Sequence, residues 1–99
     1  MHIIRCNQTS TIDTFTLADL LCDYRSVHID VGTGDGRFVQ HAAATQPDSF
    51  VIGIDACREN LHAVSRRAPG NALFVIANAE MMPPEIDSLA AGLSVNFPW

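Results

Sequence analysis

Lysine is absent from this sequence of 99 residues, and all six basic residues are arginine. The absence excludes a P-loop, because that motif places a lysine side chain on the phosphates. Eleven acidic residues outnumber the arginines and give a formal net charge of −5. Nucleic-acid affinity comes from clustered cations, and the only adjacent pair here is Arg66 and Arg67. Charge alone therefore argues against nucleic-acid binding.

Cysteine is scarce, and long apolar runs are missing. Three cysteines, an odd number without close spacing, predict neither a disulfide framework nor a metal site. No run approaches the roughly 18 consecutive apolar residues of a membrane helix, and the polar amino terminus lacks the apolar core of a signal peptide. We therefore expect a cytoplasmic protein with reduced thiols and no membrane partner.

The sequence does contain a regular alternation of apolar strands and helical segments. A content of 47% hydrophobic and 17% charged residues predicts one domain over residues 1–99. Buried parallel strands are predicted at residues 27–31, 50–54, 72–76 and 93–97. Helices are predicted between them at residues 37–46, 59–67 and 84–91. This alternation predicts an α/β fold with a Rossmann-like, doubly wound parallel sheet.

The segment before the first predicted strand is less regular. Thr16 and Asp19 resemble a capping box, which predicts a helix over residues 17–24. The first dozen residues are predicted to form a short strand or a hairpin.

Three acidic residues follow predicted strands at equal spacing. Asp30 ends the first strand, Asp55 follows the second and Glu80 follows the third, each 25 residues after the one before. The carboxyl ends of neighbouring parallel strands line one edge of a sheet, so these acids are expected to converge on one crevice. The alternative is that they initiate helices, where the macrodipole favours acidic side chains.

A glycine-rich turn lies beside the first of these acids. Residues 30–37 read Asp-Val-Gly-Thr-Gly-Asp-Gly-Arg, between a predicted strand and a predicted helix. A dinucleotide fingerprint places a small residue where this chain has Arg37, which disfavours NAD. S-adenosylmethionine fits better: Asp30 would lie near its ammonium, Asp55 would accept from both ribose hydroxyls, and Glu80 would accept from the adenine amino group.

These residues carry a family resemblance over nearly the whole chain. The strand and glycine turn at 27–38, the segments 51–55 and 74–80, the prolines at 83–84 and the Phe-Pro-Trp at 97–99 resemble class I methyltransferases. More narrowly, they resemble the aminoglycoside-resistance enzymes that methylate N1 of a decoding-site adenine in 16S rRNA of the 30S subunit. The glycine motif alone specifies only the superfamily, whereas its combination with the Ala-Glu and Phe-Pro-Trp elements is more specific.

The resemblance implies which residues contact the cofactor and the target base. The candidate cofactor-binding residues are the positions that the resemblance implies, further residues of the glycine turn, and the residue after Asp55. They are Asp30, Gly32, Thr33, Gly34, Asp35, Asp55, Ala56, Ala79 and Glu80. Trp99 is the candidate catalytic residue, stacking on the flipped adenine, a contact worth about 1–3 kcal/mol per base. The alternative for Trp99 is packing at the end of the sheet. Methyl transfer to N1 would then depend on positioning, with no obligatory general base.

The resemblance also implies seven strands, of which this chain would supply four, in the order 3-2-1-4. The chain would thus correspond to the amino-terminal, cofactor-binding half, with strand 4 as an edge open to self-association. Other interpretations stay open: a cofactor-binding remnant without catalysis, a tRNA (guanine-N7) methyltransferase relative, whose Asn-Phe-Pro-Asp-Pro-Trp motif is similar to residues 96–99, or a nucleotide-binding or interaction module.

Overall fold

A computed structural model describes residues 1–5, 8–78 and 94–96 of the chain. In chain order the elements are β1 (His2–Arg5), β2 (Gln8–Thr11), α1 (Thr14–Leu21), β3 (Ser26–Val31), α2 (Arg37–Thr45), β4 (Ser49–Asp55), α3 (Arg58–Ser65), β5 (Ala72–Ile76) and β6 (Ser94–Asn96). The strands form one six-stranded sheet in the order β2-β1-β5-β4-β3-β6. None of the helices in these residues is long and apolar enough to cross a membrane.

The part of the sheet from β5 to β6 is parallel and follows the predicted order. β3 pairs in parallel with β4 on one side and with β6 on the other, and β4 pairs in parallel with β5. In the numbering of the four predicted strands this order is 3-2-1-4, so the predicted parallel sheet is confirmed. The predicted helix at 84–91 lies outside the described residues.

The amino-terminal hairpin makes the sheet mixed, which the prediction of a purely parallel sheet missed. β1 pairs antiparallel with β2, and it also pairs antiparallel with β5, placing Ile3 opposite Val75 and Ile4 opposite Phe74. The hairpin interpretation of the first dozen residues is confirmed. Its attachment to β5 was not predicted because it depends on a contact between distant parts of the chain.

Both faces of the sheet are covered, as a doubly wound fold requires. On one face, Leu17 and Leu21 of α1 join a cluster with alternate strand residues such as Ile29 and Ile52. On the other face, α2 and α3 contribute buried residues to a second cluster: Val39, Ala42, Ala43, Leu61 and Val64. The sheet is thus buried on both sides, which explains why its central strands read as continuous apolar runs.

Helix α1 begins earlier than the capping box predicted. It starts at Thr14 rather than residue 17, because Asp13 is the N-cap and its Oδ1 accepts a hydrogen bond of 2.8 Å from the Thr16 backbone N–H. An aspartate is a strong N-cap residue, so it outcompetes the predicted Thr16 cap. The helix ends at Leu21, and Tyr24, predicted to lie in the helix, instead packs edge-on against Phe50 at 5.1 Å between ring centroids.

Helices α2 and α3 lie where predicted, with ends that differ by one or two residues from 37–46 and 59–67. The end of α2 is held by the buried side chain of the residue that precedes β5. Asn71 Nδ2 donates to the backbone carbonyls of Ala43 and Ser49, each at 2.9 Å. This amide ties the connection between α2 and β4 to the residue that precedes β5, at the edge of the sheet opposite the acidic strand ends.

Candidate cofactor-binding site

The glycine-rich turn leaves β3 in a conformation that only glycines adopt freely. Gly32, Gly34 and Gly36 all have positive φ, at 71°, 62° and 72°. The backbone N–H groups of Gly32 and Thr33 both donate to the Ile54 carbonyl, at 2.7 and 2.9 Å. The turn after β3 is therefore fastened directly to the end of β4.

Two glycines also allow close packing beneath the turn. A Cβ on Gly36 would lie 2.8 Å from carbons of both Phe74 and Val64. A Cβ on Gly53, in β4, would lie 2.8 Å from Val39 and 3.0 Å from Phe74. Gly53 was not singled out from the sequence, although a glycine inside an apolar strand signals a close approach of this kind. The Phe74 ring thus supports the turn from below.

Asp55 lies at the end of β4 and connects the glycine turn to the start of α3. Its Oδ2 accepts a hydrogen bond of 2.8 Å from the Gly34 backbone N–H. Its Oδ1 accepts another of 2.8 Å from the backbone N–H of Cys57, the N-cap residue of α3. The side chain is half-buried. Each oxygen keeps a further lone pair, so the carboxylate can still accept hydrogen bonds from a ligand.

Asp30 lies near the end of β3 and is more deeply buried, with 4% of its surface exposed. Burial raises the pKa of its carboxyl above the usual 3.8, and the nearby Thr33 hydroxyl opposes that rise. Asp30 pairs in register with Gly53 of β4 and with Asn96 of β6, so it lies between two parallel strands at their carboxyl ends. A buried carboxylate without a cationic partner is favourable only if a cation or a proton joins it.

The other predicted site residues fall into two groups. Asp35 is exposed and pairs with Arg37: its Oδ2 lies 3.1 Å from the guanidinium, and its Oδ1 accepts from the Arg37 backbone N–H at 3.1 Å. Ala56 is exposed between Asp55 and Cys57. Three predicted site residues lie outside the described residues: Ala79, Glu80 and Trp99.

The structure thus brings most of the predicted residues to one edge of the sheet. Asp30, the glycine turn and Asp55 form a continuous unit, linked through the Ile54 carbonyl and the Asp55 carboxylate. The role of the Cys57 backbone N–H was missed, because a backbone donor leaves no trace in residue type. Within the described part of the chain, no group of three or more His, Cys, Asp and Glu side chains could hold a metal ion.

The strand order, the glycine turn after β3 and the acidic residue that ends β4 together define the class I methyltransferase fold. A family model described as NpmA, 16S rRNA (adenine(1408)-N(1))-methyltransferase, matches residues 2–99. The chain belongs to this family.

The curated relatives of this chain include both rRNA and tRNA methyltransferases. A 16S rRNA (adenine(1408)-N(1))-methyltransferase of Escherichia coli is 36% identical, over all of this chain and 49% of its own length. A tRNA (guanine-N(7)-)-methyltransferase of Rubrobacter xylanophilus is 31% identical, over 81% of this chain and 38% of its own length. The chain therefore spans about half the length, or less, of these curated relatives.

Solved structures share the fold. The aminoglycoside resistance methyltransferase NpmB1 superimposes with a TM-score of 0.87 and 41% identity, over 100% of this chain and 52% of its own. A mutant 16S rRNA (adenine(1408)-N(1))-methyltransferase from Catenulisporales acidiphilia, solved with the cosubstrate SAM, has a TM-score of 0.86 at 21% identity, over 100% of this chain and 48% of its own. At that identity the second comparison shows the fold alone.

Proposed function

We propose that this chain forms the S-adenosylmethionine-binding part of a methyltransferase that acts on N1 of an adenine in 16S rRNA of the 30S subunit, in the cytoplasm. The observation that carries the proposal is the unit formed by two acidic strand ends and the glycine turn between them, within a family match over residues 2–99.

The described residues fit the chemistry of this cofactor. Asp30 supplies a buried carboxylate without a cationic partner among the described residues, which suits an ammonium group. Asp55 supplies a carboxylate held by backbone donors on both oxygens, with lone pairs left for a ribose diol. The buried Thr33 Oγ1 has no hydrogen-bond partner among the described residues. An unpartnered buried polar atom is a rare feature, and a ligand or a water would account for it.

The remaining predicted contacts complete the assignment. The backbone of Gly32, Gly34 and Ala56 and the side chain of Asp35 would lie around the amino-acid and ribose parts, and Ala79 and Glu80 would contact adenine. Trp99 would stack on the target base after it leaves the RNA helix. The cofactor supplies an electrophilic methyl group on a sulfonium. The role of these residues is to hold the methyl group of the cofactor in line with N1 of the target adenine. No further activation of the base is needed, since adenine N1 already carries a free lone pair.

The acidic balance of the chain is compatible with an RNA substrate if RNA contacts are local. Arg66 and Arg67 are exposed at the carboxyl end of α3, where they also suit the helix dipole. Phosphate contacts from such a pair would be salt-dependent and independent of base sequence. Self-association through the β6 edge stays a prediction.

Cofactor binding is tested by calorimetric titration of the chain with S-adenosylhomocysteine, the stable product. We expect saturable binding that is lost or at least tenfold weaker in Asp55→Ala. Asp23→Ala is a matched control, because Asp23 is an exposed acid in the turn after α1. No binding by the unmodified chain would contradict every methyltransferase interpretation and leave the nucleotide-binding or interaction module.

Catalysis is tested separately, with radiolabelled methyl transfer to isolated 30S subunits and, in parallel, to tRNA. Label in 16S rRNA supports the main proposal, and label in tRNA alone supports the guanine-N7 alternative. Cofactor binding without transfer to either RNA identifies the chain as a cofactor-binding remnant.

A further inference from the structure

A cleft between helices α2 and α3 contains two arginines that the proposed cofactor site does not use. Its volume is about 340 Å³. Arg37, the first residue of α2, and Arg67, two residues after the end of α3, both line it. The amide side chains of Gln40 and Asn60 line it as well. The cleft therefore combines two guanidinium groups with neutral hydrogen-bonding groups.

The two sides of the cleft are held together by contacts within the fold. Gln40 Nε2 donates to the backbone carbonyl of Arg67 at 3.5 Å, and the Arg67 backbone N–H donates to the Val64 carbonyl at 3.0 Å. Gly36, just before α2, lies so close to Val64 that an added Cβ would be 2.8 Å from it. The backbone positions of Arg37 and Arg67 are thus set by packing, whereas their exposed side chains can move to meet a ligand.

The two arginines differ in what already binds them. Arg37 pairs with Asp35, an acidic residue of the same cleft, at 3.1 Å, and both side chains are largely exposed, at 88% and 66%. An ion pair this exposed contributes little to stability, so another anion can displace Asp35 from Arg37. Nothing among the described residues accepts a hydrogen bond or an ion pair from the Arg67 guanidinium.

The chemistry of the cleft fits the sugar-phosphate backbone of RNA. A guanidinium matches the geometry of a phosphate, and amide side chains commonly contact phosphate and sugar oxygens. Among the described residues that line the cleft, none carries an aromatic ring on which a base could stack. Because the chain carries a net charge of −5, a polyanion can approach it only where cations lie together.

The cleft also lies beside the proposed cofactor site. Asp35 and Arg37 flank Gly36 in the glycine turn, and Gly34 of the same turn donates its backbone N–H to Asp55 at 2.8 Å. An RNA strand held in the cleft would therefore lie next to the turn that carries the cofactor-binding residues.

We propose that this cleft binds a backbone phosphate of the RNA substrate, with Arg37 and Arg67 as the contacting cations and Asp35 as the anion that the phosphate displaces from Arg37. The inference rests on the proposed function and adds to it a contact that positions the RNA without reading its bases.

The test measures binding of the chain to isolated 30S subunits by co-sedimentation at several salt concentrations. Arg37→Gln and Arg67→Gln each remove one cation from the cleft. Arg25→Gln is the matched control: it changes the net charge equally, but Arg25 is exposed before the start of β3, at the opposite edge of the sheet from the glycine turn. Calorimetry measures the affinity of each variant for S-adenosylhomocysteine.

We expect Arg37→Gln and Arg67→Gln each to bind 30S subunits about tenfold more weakly at low salt. Each should also lower the slope of log affinity against log salt concentration by about 1, as loss of one phosphate contact implies. Their affinity for S-adenosylhomocysteine should not change. Arg25→Gln should bind 30S subunits like the unmodified chain.

A variant with the opposite sign tests the role of Asp35. Asp35→Asn releases Arg37 and should tighten 30S binding. Asp23→Asn makes the same change in net charge in the turn after α1, outside the cleft, and should leave 30S binding unchanged. Equal effects of Asp35→Asn and Asp23→Asn would contradict the displacement of Asp35.

Three results would overturn the inference. Unchanged 30S binding in Arg37→Gln and Arg67→Gln would show that the cleft is not used. Equal losses in these variants and in Arg25→Gln would show an effect of net charge alone. Failure of the unmodified chain to bind 30S subunits at low salt would also overturn it. Saturable binding of S-adenosylhomocysteine would in each case leave the cofactor-binding part of the proposed function standing, whereas its absence from the unmodified chain would overturn the proposed function itself.

Discussion

Asp30 and Asp55 stand at the ends of neighbouring strands, yet their surroundings differ. Asp55 is half-buried, and both of its oxygens accept backbone hydrogen bonds of 2.8 Å. Asp30 is more deeply buried, and burial raises the pKa of its carboxyl. Asp55 therefore connects the turn to α3 and can still bind a ligand, whereas Asp30 is a buried carboxylate without a cationic partner among the described residues.

Two aspartates at equivalent strand ends are thus distinguished by how many of their hydrogen bonds the described residues already supply. Replacing Asp55 should damage both the turn and ligand binding, because its carboxylate serves both. Replacing Asp30 should damage ligand binding alone. Four substitutions test this separation.

Gly36→Ala should have the largest effect, because it disrupts the turn that joins the two acids. The new Cβ would lie 2.8 Å from Phe74 and Val64, at a φ of +72°. The left-handed conformation and the overpacking together should lower the free energy of unfolding by about 3 kcal/mol or more. Urea unfolding measures this loss. Gly34→Ala is the matched control, because its φ is +62° but nothing lies within 4 Å of the added Cβ; it should cost about 1–2 kcal/mol. Equal losses in the two variants would contradict the role of Phe74.

Asp55→Ala should follow, with losses in both stability and binding. The Gly34 and Cys57 backbone N–H groups would lose their acceptors. We expect the free energy of unfolding to fall by about 1–2 kcal/mol, together with at least a tenfold loss of affinity for S-adenosylhomocysteine. Asp55→Asn keeps one acceptor oxygen and should show about half the loss of stability. Unchanged unfolding of Asp55→Ala would rule out the connecting role.

Asp30→Asn should separate binding from stability. Because burial raises the pKa of Asp30, the native state holds this proton more tightly than the unfolded state. The stability from that proton is present below the ordinary aspartate pKa of 3.8 and is lost as pH rises through the raised pKa. The asparagine variant has no such loss, so its stability relative to the unmodified chain should increase as pH rises above 3.8. Its affinity for S-adenosylhomocysteine should fall about tenfold. A stability difference independent of pH would contradict the raised pKa.

Asp13→Ala should have the smallest effect, because Asp13 is exposed and lies away from the sheet edge. The variant removes the N-cap of α1 and should lower the unfolding temperature by a few degrees at most. Asp13→Asn keeps a capping oxygen and should unfold like the unmodified chain. The Thr16 backbone N–H lowers the pKa of Asp13, so the contribution of the cap is lost only as pH falls through that lowered pKa. Affinity for S-adenosylhomocysteine should be the same in both variants, and a loss in Asp13→Ala would show that the separation between scaffold and site is wrong.

Local patterns were sufficient to predict the parallel core. Strands β3, β4 and β5 are apolar runs bounded by turn residues, and the predicted glycine-rich turn lies between β3 and α2. The convergence of Asp30 and Asp55 followed from the rule that parallel strands end at one edge. These inferences succeed because each depends on residue type and on short-range periodicity.

The rest depended on contacts that residue type does not encode. The pairing of β1 with β5 links residues far apart in the chain. The acceptors that hold the turn are backbone carbonyls, such as that of Ile54, which every residue possesses. The burial that distinguishes Asp30 from Asp55 is set by packing on both faces of the sheet, so their different environments were invisible in the sequence.

The docking of the hairpin on β5 has a consequence for how the chain folds as it is made. Ile3 and Ile4 leave the ribosome early, but their partners Val75 and Phe74 are synthesised much later. During synthesis β1 can therefore pair only with β2 until most of the described sheet has been translated. A two-stranded hairpin alone is marginally stable at best, and closing so long a loop is intrinsically slow. We expect the hairpin to dock last, after β3, β4 and β5 have assembled, which makes β1 the strand whose exposure during synthesis invites misassembly.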